Sequence, residues 1–354
     1  MSQDITSRDL LWGLLIVVLL VRLVTLALFP VIDTTEARYA EISRLMLESG
    51  DWIVPQFSPG EPFWGKPPLF AWLSAGSVAA LGMSEFNLRL PHFLLAIACL
   101  WVVWRLASAE LGVRQRLLTL VILASTPLFF AAAGTVMTES GLVLATTLSM
   151  AGFWLHAKHG QKPWGLLFFA GLGLGMLAKG PVALVMVFLP IGIWSIKPGR
   201  RKTLGSLPWL GGGLVFLLIS LPWYLLAESR SPGFLEYFFI GEHLLRFIQP
   251  GWSGDRYGNA HSEPLGMIWL LWFQATAAWG LLMAWVATRY GVDKLRGMHS
   301  SWPSLNDWQS YLTWWMLAPL IFFTFSSNIL WTYVISGLPA FALLMASTNP
   351  GTEE

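Results

Sequence analysis

Several short segments of the chain bring carboxylates and cations close together in sequence, and each could do acid–base or phosphate chemistry. Asp33 opens the run Asp33-Thr34-Thr35-Glu36-Ala37-Arg38-Tyr39. A carboxylate held at the start of a surface helix can deprotonate an acceptor hydroxyl or amine, with Glu36 as the second choice of base. The same spacing also reads as a capping box in which the acids only satisfy free backbone N–H groups. Further on, Lys66 lies between Phe63-Trp64-Gly65 and Pro67-Pro68. There it can hold a phosphate as a point charge, or simply snorkel to the membrane interface. Glu139, in Thr135-Val136-Met137-Thr138-Glu139-Ser140, falls at the same predicted level as Lys179 and Gly180, which suits either a structural ion pair or substrate orientation. Glu242, His243 and Arg246 stand at helical spacing, so His243 and Arg246 present a cationic edge, and the planar fork of Arg246 can take phosphate oxygens in pairs. His261 and Glu263, with His243 or Glu242, could hold a divalent metal, although no His-Glu-x-x-His spacing is present.

The elements that must position these residues are membrane helices. Of the 354 residues, 55% are hydrophobic and 12% charged, which leaves too little polar surface for a water-soluble fold. A net charge of +2, with no basic run beyond Arg200-Arg201-Lys202, excludes nucleic acid as a partner. Cys99 is the single cysteine, so no intrachain disulfide can form. Stretches long enough to span a bilayer lie near 10–30, 88–107, 115–133, 138–156, 164–178, 181–196, 207–227, 265–287, 309–326 and 331–347, about ten in all. The first is read as a retained helix, since no small-residue cleavage site follows it. Arg22, deep in that span, is expected to turn into the bundle or toward water.

An N-terminus in the cytoplasm puts Arg8, Arg105, Arg114, Arg116, Lys158, Lys162, Lys197, Arg200, Arg201, Lys202, Arg289, Lys294 and Arg296 inside, which is the favoured orientation. Most acids then share the outer face with Arg38, Lys66, Arg89, Lys179 and Arg246. Two outer loops, Val31 to about Asn87 and about Glu228 to Pro264, exceed the rest in length and are where function is expected. In the first, residues from Asp33 to Glu48 have the periodicity of an amphipathic helix on the membrane surface, and Pro67 to Leu81 suits an interfacial or re-entrant helix. No hydrophilic stretch is long enough for a soluble domain, so residues 1–354 are read as one transmembrane domain without a C-terminal soluble one.

The string from Asp33 to Pro55 (DTTEARYAEISRLMLESGDWIVP), then Lys66-Pro67-Pro68-Leu69 and Arg89-Leu90-Pro91, resembles the GT-C membrane glycosyltransferases. The likeness is to the group of the lipid A aminoarabinose and protein O-mannosyltransferases (glycosyltransferase 39/83). It continues through Ala178-Lys179-Gly180-Pro181, the block Tyr237 to Phe247 and the block Thr332 to Pro339. It differs in having Asp33-Thr34 where Asp-Glu is common, glutamate at 139 where aspartate is frequent, Leu265-Gly266-Met267-Ile268 where a tyrosine-rich segment is expected, and Asn328 in place of a lysine.

The resemblance implies an all-α, GT-C-like bundle in a bacterial inner membrane, with its active site facing the periplasm. It implies transfer of a sugar from a polyprenyl-phosphate carrier to a glycolipid such as lipid A, a glycan or a protein, with inversion at the anomeric carbon. By that likeness Asp33 and Glu139 are the two acidic positions, Tyr39 the tyrosine beside the first, Lys66 the lipid-phosphate lysine, and Lys179 the lysine of the Ala-Lys-Gly turn. Glu36, Arg38, His243 and Arg246 complete the substrate-binding set. The rival readings are a transporter or flippase of a lipid-linked sugar, or a non-catalytic glycolipid-binding subunit. Transporters often show internal repeats and midplane charges, whereas here the ionisable residues gather at one surface.

Overall fold

The computed structural model describes residues 2–257, 262–295 and 305–347. The first helix, α1 (Ser2–Leu28), keeps an apolar face of Leu14, Val17, Val21 and Val24 turned outward. Arg22 turns the other way. Its Nε donates to Ala133 O at 2.5 Å and its Nη2 to Ala131 O at 2.8 Å, so the guanidinium satisfies carbonyls left free where the short helix α6 (Pro127–Ala132) ends.

In the first long loop, α2 (Thr34–Ser49) begins at Asp33, whose side chain accepts from the N–H groups of Thr35 and Glu36, and ends at Gly50 in the left-handed region (φ 68). Its apolar residues Tyr39, Ile42, Leu45 and Met46 recur at helical spacing and are buried, while Arg44 pairs with Glu41 and Glu48 on the exposed side. A small hairpin of β1 (Gln56–Ser58) and β2 (Glu61–Pro62) leads to Lys66 and to α3 (Leu69–Leu81), which packs against α2 and α4 (Glu85–Ala107).

Beyond α5 (Val113–Ser125), which is separated from α6 by the break at Thr126 and Pro127, come α7 (Glu139–His159) and α8 (Lys162–Lys179). This antiparallel pair positions the site. A Cβ on Gly152 would lie 2.6 Å from Phe168 N, and one on Gly171 would lie 2.7 Å from Ala145 O, so only glycine permits this backbone approach. Because the two helices are of similar length and joined by a tight turn at Gly160 (φ 67), the start of α7 and the end of α8 finish at one level, which brings Glu139 beside Lys179.

The remaining helices are α9 (Val182–Trp194), α10 (Arg201–Ser206) and α11 (Trp209–Arg230). A continuous helical segment follows, made of α12 (Phe234–Glu236), a π-helical stretch (Tyr237–Leu245) and α13 (Arg246–Ile248). Then come α14 (Ile268–Leu295, kinked at Ala277), α15 (Asp307–Phe323), a 3₁₀ turn (Trp331–Gly337) and α16 (Leu338–Ser347). Helices lie over all of the apolar stretches read from the sequence. Among the described residues, Ser7–Leu28, Glu85–Ala107, Glu139–His159, Trp209–Arg230 and Ile268–Arg289 are long and apolar enough to cross a bilayer. Leu69–Leu81, Val182–Trp194 and Trp331–Ser347 are shorter apolar helices.

Candidate functional site

Two cavities meet near the start of α7 and the end of α8. One is polar, of about 290 Å³, and is lined by Thr34, Thr35, Arg38, Tyr39, Thr138, Glu139, Asp255 and Tyr257. The other is a mainly apolar groove of about 310 Å³, lined by Leu142, Val182, Val185, Met186, Phe239, Leu244, Phe247, Phe322 and Phe323. Lys66, Lys179, Glu242, Arg246 and Tyr333 line both, so a ring of three cations with one carboxylate stands at the junction.

Each of these residues is held by local structure. Lys179 ends α8, where Gly180 turns the chain at φ 78. A Cβ there would lie 2.6 Å from Phe238 Cζ, so the turn demands glycine. Lys179 Nζ donates to Glu139 Oε1 at 2.8 Å and lies 5.0 Å from the Tyr333 ring centroid. The π-helical stretch carries Glu242, which pairs with Lys66, and Arg246 Nη1 reaches Glu242 Oε1 and Oε2 at 2.9 and 3.1 Å. Arg246 Nη1 also faces Asp255 Oδ2 at 3.3 Å. Asn328 Nδ2 donates to the backbone carbonyls of Arg246 and Gln249, fastening the end of that segment.

Burial by itself would raise the Glu242 carboxyl, but Lys66 and Arg246 outweigh it and hold the group below the usual carboxylate range. Burial costs the Arg246 guanidinium some of its charge preference, yet Glu242 and its other negative neighbours more than restore it. His243 packs on Phe238 with Nδ1 2.7 Å from Phe238 O and Nε2 3.3 Å from Lys179 O; its burial pushes the imidazole below its ordinary range.

The residues singled out from the sequence divide into three groups. Lys66, Lys179 and Arg246 converge at the junction, Glu139, Arg38 and Tyr39 line the polar cavity, and His243 lines the apolar groove. Asp33 and Glu36 line neither cavity. Asp33 is exposed and its Oδ1 caps α2 at 2.9 and 3.0 Å from two N–H groups, so Thr34 and Thr35, not Asp33, reach the cavity wall. Glu36 is buried in a two-pronged pair with Arg89 (2.6 and 2.7 Å) and accepts from Val136 N, so its oxygens are turned away from both cavities.

His261 lies outside the described residues. Glu263 lines neither cavity, and among the described residues no group of three or more His, Cys, Asp or Glu is placed to hold a metal. Glu139 and Glu242 are each already paired with a cation. Sequence reading assigned Glu242 only as a metal-ligand alternative, although its four-residue spacing to Arg246 signals the ion pair that forms. It missed Asp255 and Tyr333 as cavity residues. No local pattern marks either one, because long-range packing brings them there.

The profile of the dolichyl-phosphate-mannose-protein mannosyltransferase family matches residues 10–238. An undecaprenyl phosphate-alpha-4-amino-4-deoxy-L-arabinose arabinosyl transferase of Pseudomonas fluorescens is 31% identical over 323 residues, which make up 88% of this chain and 53% of that protein. Its counterpart in Edwardsiella ictaluri is 29% identical, over 88% of this chain and 54% of its own. The chain thus spans about half the length of the curated relatives it matches. The crystal structure of ArnT from Cupriavidus metallidurans bound to undecaprenyl phosphate superposes with a TM-score of 0.80 at 24% identity, covering 96% of this chain and 59% of that one. An Archaeoglobus fulgidus oligosaccharyltransferase in its apo form shares the fold more distantly, with a TM-score of 0.59 at 12% identity over 95% of this chain and 50% of its own.

Proposed function

Since the chain belongs to the dolichyl-phosphate-mannose-protein mannosyltransferase family, we propose that it moves a sugar from a polyprenyl-phosphate carrier to an acceptor at the extracytoplasmic face of the membrane. The observation that carries this reading is the junction itself. An apolar groove open to a chain of isoprene units meets a polar cavity across Lys66, Lys179 and Arg246, which is the arrangement a lipid phosphate with a sugar on its far side requires. The carrier's tail lies in the groove, its phosphate at the cations, and its sugar in the polar cavity with the acceptor.

In the transfer, an acceptor oxygen bonds to the anomeric carbon as the bond from that carbon to the carrier's phosphate oxygen breaks. The electron pair of the broken bond stays on the phosphate, where Lys66, Lys179 and Arg246 stabilise the charge that develops. Glu139 takes the proton of an acceptor hydroxyl, because it is the carboxylate on the cavity wall away from Arg246; Asp33 serves as the cap that holds Thr34 and Thr35 at the cavity lip. Direct displacement inverts the anomeric configuration.

We place the ten helical stretches across the bilayer as a GT-C-like bundle in a bacterial inner membrane, with α2 and α3 on its outer surface and the site on the periplasmic side. The acid-rich outer loops and the basic inner connections support this orientation. We read the described residues as one transmembrane domain.

Mass analysis of surface glycolipids, glycans and glycoproteins from cells with the protein, without it, and with Glu139→Gln or Lys66→Gln tests the reading. One sugar should vanish in the deletion and stay absent in both variants. An unchanged profile in all four would refute it, and a carrier-linked sugar stranded on the cytoplasmic side would point instead to a flippase.

A further inference from the structure

Asp255 is a buried acid that the transfer scheme above leaves without work. Its side chain is 5% exposed and lines the polar cavity. Oδ1 accepts from Tyr257 N at 3.1 Å, whereas Oδ2 has no hydrogen-bond partner. It is the one carboxylate oxygen among the described residues in that condition. Buried polar atoms are nearly always paired, and leaving a carboxylate oxygen without a donor is costly, so such an atom on a cavity wall is poised for a donor from outside the chain. The nearest cation, Arg246 Nη1 at 3.3 Å, is already committed to both oxygens of Glu242.

The turn that carries Asp255 is built to hold it still. Tyr257 donates its hydroxyl hydrogen to Pro62 O at 2.8 Å and accepts from Trp64 N at 3.0 Å, and Arg256 N donates to the hydroxyl of Tyr237 at 3.2 Å. The Asp255–Tyr257 turn is thus pinned to the segment that ends in Lys66 and to the π-helical stretch that carries Glu242. Asp255 is registered against two residues of the phosphate ring.

We propose that Asp255 Oδ2 accepts a hydrogen bond from a hydroxyl of the sugar that the carrier brings, next to the carbon that reacts. This rests on the carrier reading of the junction. Asp255 stands beside Arg246, on the wall of the polar cavity that receives the sugar. A carboxylate held at one oxygen by Tyr257 N, with no hydrogen-bond donor on the other, can hold a neighbouring hydroxyl of the donor sugar, a contact that strengthens as positive charge builds on the ring. No bond forms to Asp255, and it takes no proton from the acceptor. The ligand class is a polyprenyl-phosphate glycoside with a free hydroxyl adjacent to its anomeric carbon.

The test is binding to purified protein in nanodiscs of bare undecaprenyl phosphate and of undecaprenyl phosphate carrying a pentose, a 4-aminopentose or a hexose, for wild type, Asp255→Asn and Asp255→Glu. Wild type should bind at least one glycoside about tenfold more tightly than the bare lipid, as expected for one charge-assisted hydrogen bond. Asp255→Asn should erase most of that difference while keeping the bare-lipid affinity, which also reports an intact fold. Asp255→Glu, with its oxygen displaced, should keep only part of it. No sugar-dependent gain in wild type, or an undiminished gain in Asp255→Asn, overturns the proposal and leaves the carrier reading standing. Bare-lipid binding that falls in Asp255→Asn also overturns it, because Asp255 would then only position Arg246. Wild type that binds none of the lipids defeats both.

Discussion

Two buried acid–cation groups lie near the approach to α7, built from similar residues and put to different use. In the first, Arg89 spends its guanidinium on Glu36 (2.6 and 2.7 Å) and on the carbonyls of Leu26 and Phe29 (3.0 and 2.5 Å), while Glu36 also accepts from Val136 N. The pair ties the end of α1, the start of α2, α4 and the approach to α7 into one joint, and neither residue lines either cavity. In the second, Lys66, Glu242 and Arg246 are also paired, yet Arg246 Nε and Asp255 Oδ2 have no hydrogen-bond partner and all four residues border a cavity. A charged cluster whose hydrogen-bonding capacity is filled by the chain is a fastening; one with capacity left over at a cavity wall is a binding site.

Substitutions can break this contrast. The largest effect should come from Arg89→Met, which strands the Glu36 carboxylate and several carbonyls in the interior. A loss of about 3–5 kcal/mol is expected for removing one partner of such a pair. Thermal unfolding in detergent should show a much lower midpoint, and a variant that melts like wild type but cannot transfer sugar would overturn the division. Lys66→Gln should do the reverse, with melting nearly unchanged and the transfer rate lower by about 10²–10³-fold, as for loss of one group that stabilises developing charge. Arg246→Lys, which keeps charge but loses the planar fork, should fall between that variant and wild type in rate.

Gly180→Ala sharpens the contrast from the backbone side. At φ 78, with Phe238 2.6 Å from the new Cβ, it should cost about 1–3 kcal/mol and weaken carrier binding through displaced Lys179 and His243. The smallest effect is a pH dependence. His243 has a folded pKa below its unfolded one, so its contribution to stability is present above the unfolded value and is lost as pH falls through that value toward the folded one. Unfolding midpoints measured from about pH 7 down to about pH 5 should decline, with a limit of about 1.4 kcal/mol per pH unit for one group, and His243→Gln should flatten that slope.

What the amino-acid order determined by itself was local or periodic. Helices occupy the apolar stretches, Asp33 and Gly50 bound α2, and Arg22 turns inward, because hydrophobic length, capping and the cost of a bare charge in lipid are short-range effects that a single segment carries. The cations of the site were legible for the same reason, since Lys66, Lys179 and Arg246 each sit in a recognisable run.

Tertiary structure alone decided which carboxylate meets which cation. Lys66 finds Glu242 across 176 positions of sequence and Lys179 finds Glu139 across 40, and both pairings depend on how α7, α8 and the π-helical stretch pack. Asp33 shows the limit from the other side: its residue type suits a base and a cap equally, and only the placement of α2 turned its carboxylate to the backbone and its threonine neighbours to the cavity. A side chain's chemistry is written in its type, but its partner and its access to a cavity follow from where helices far apart in the chain come to rest.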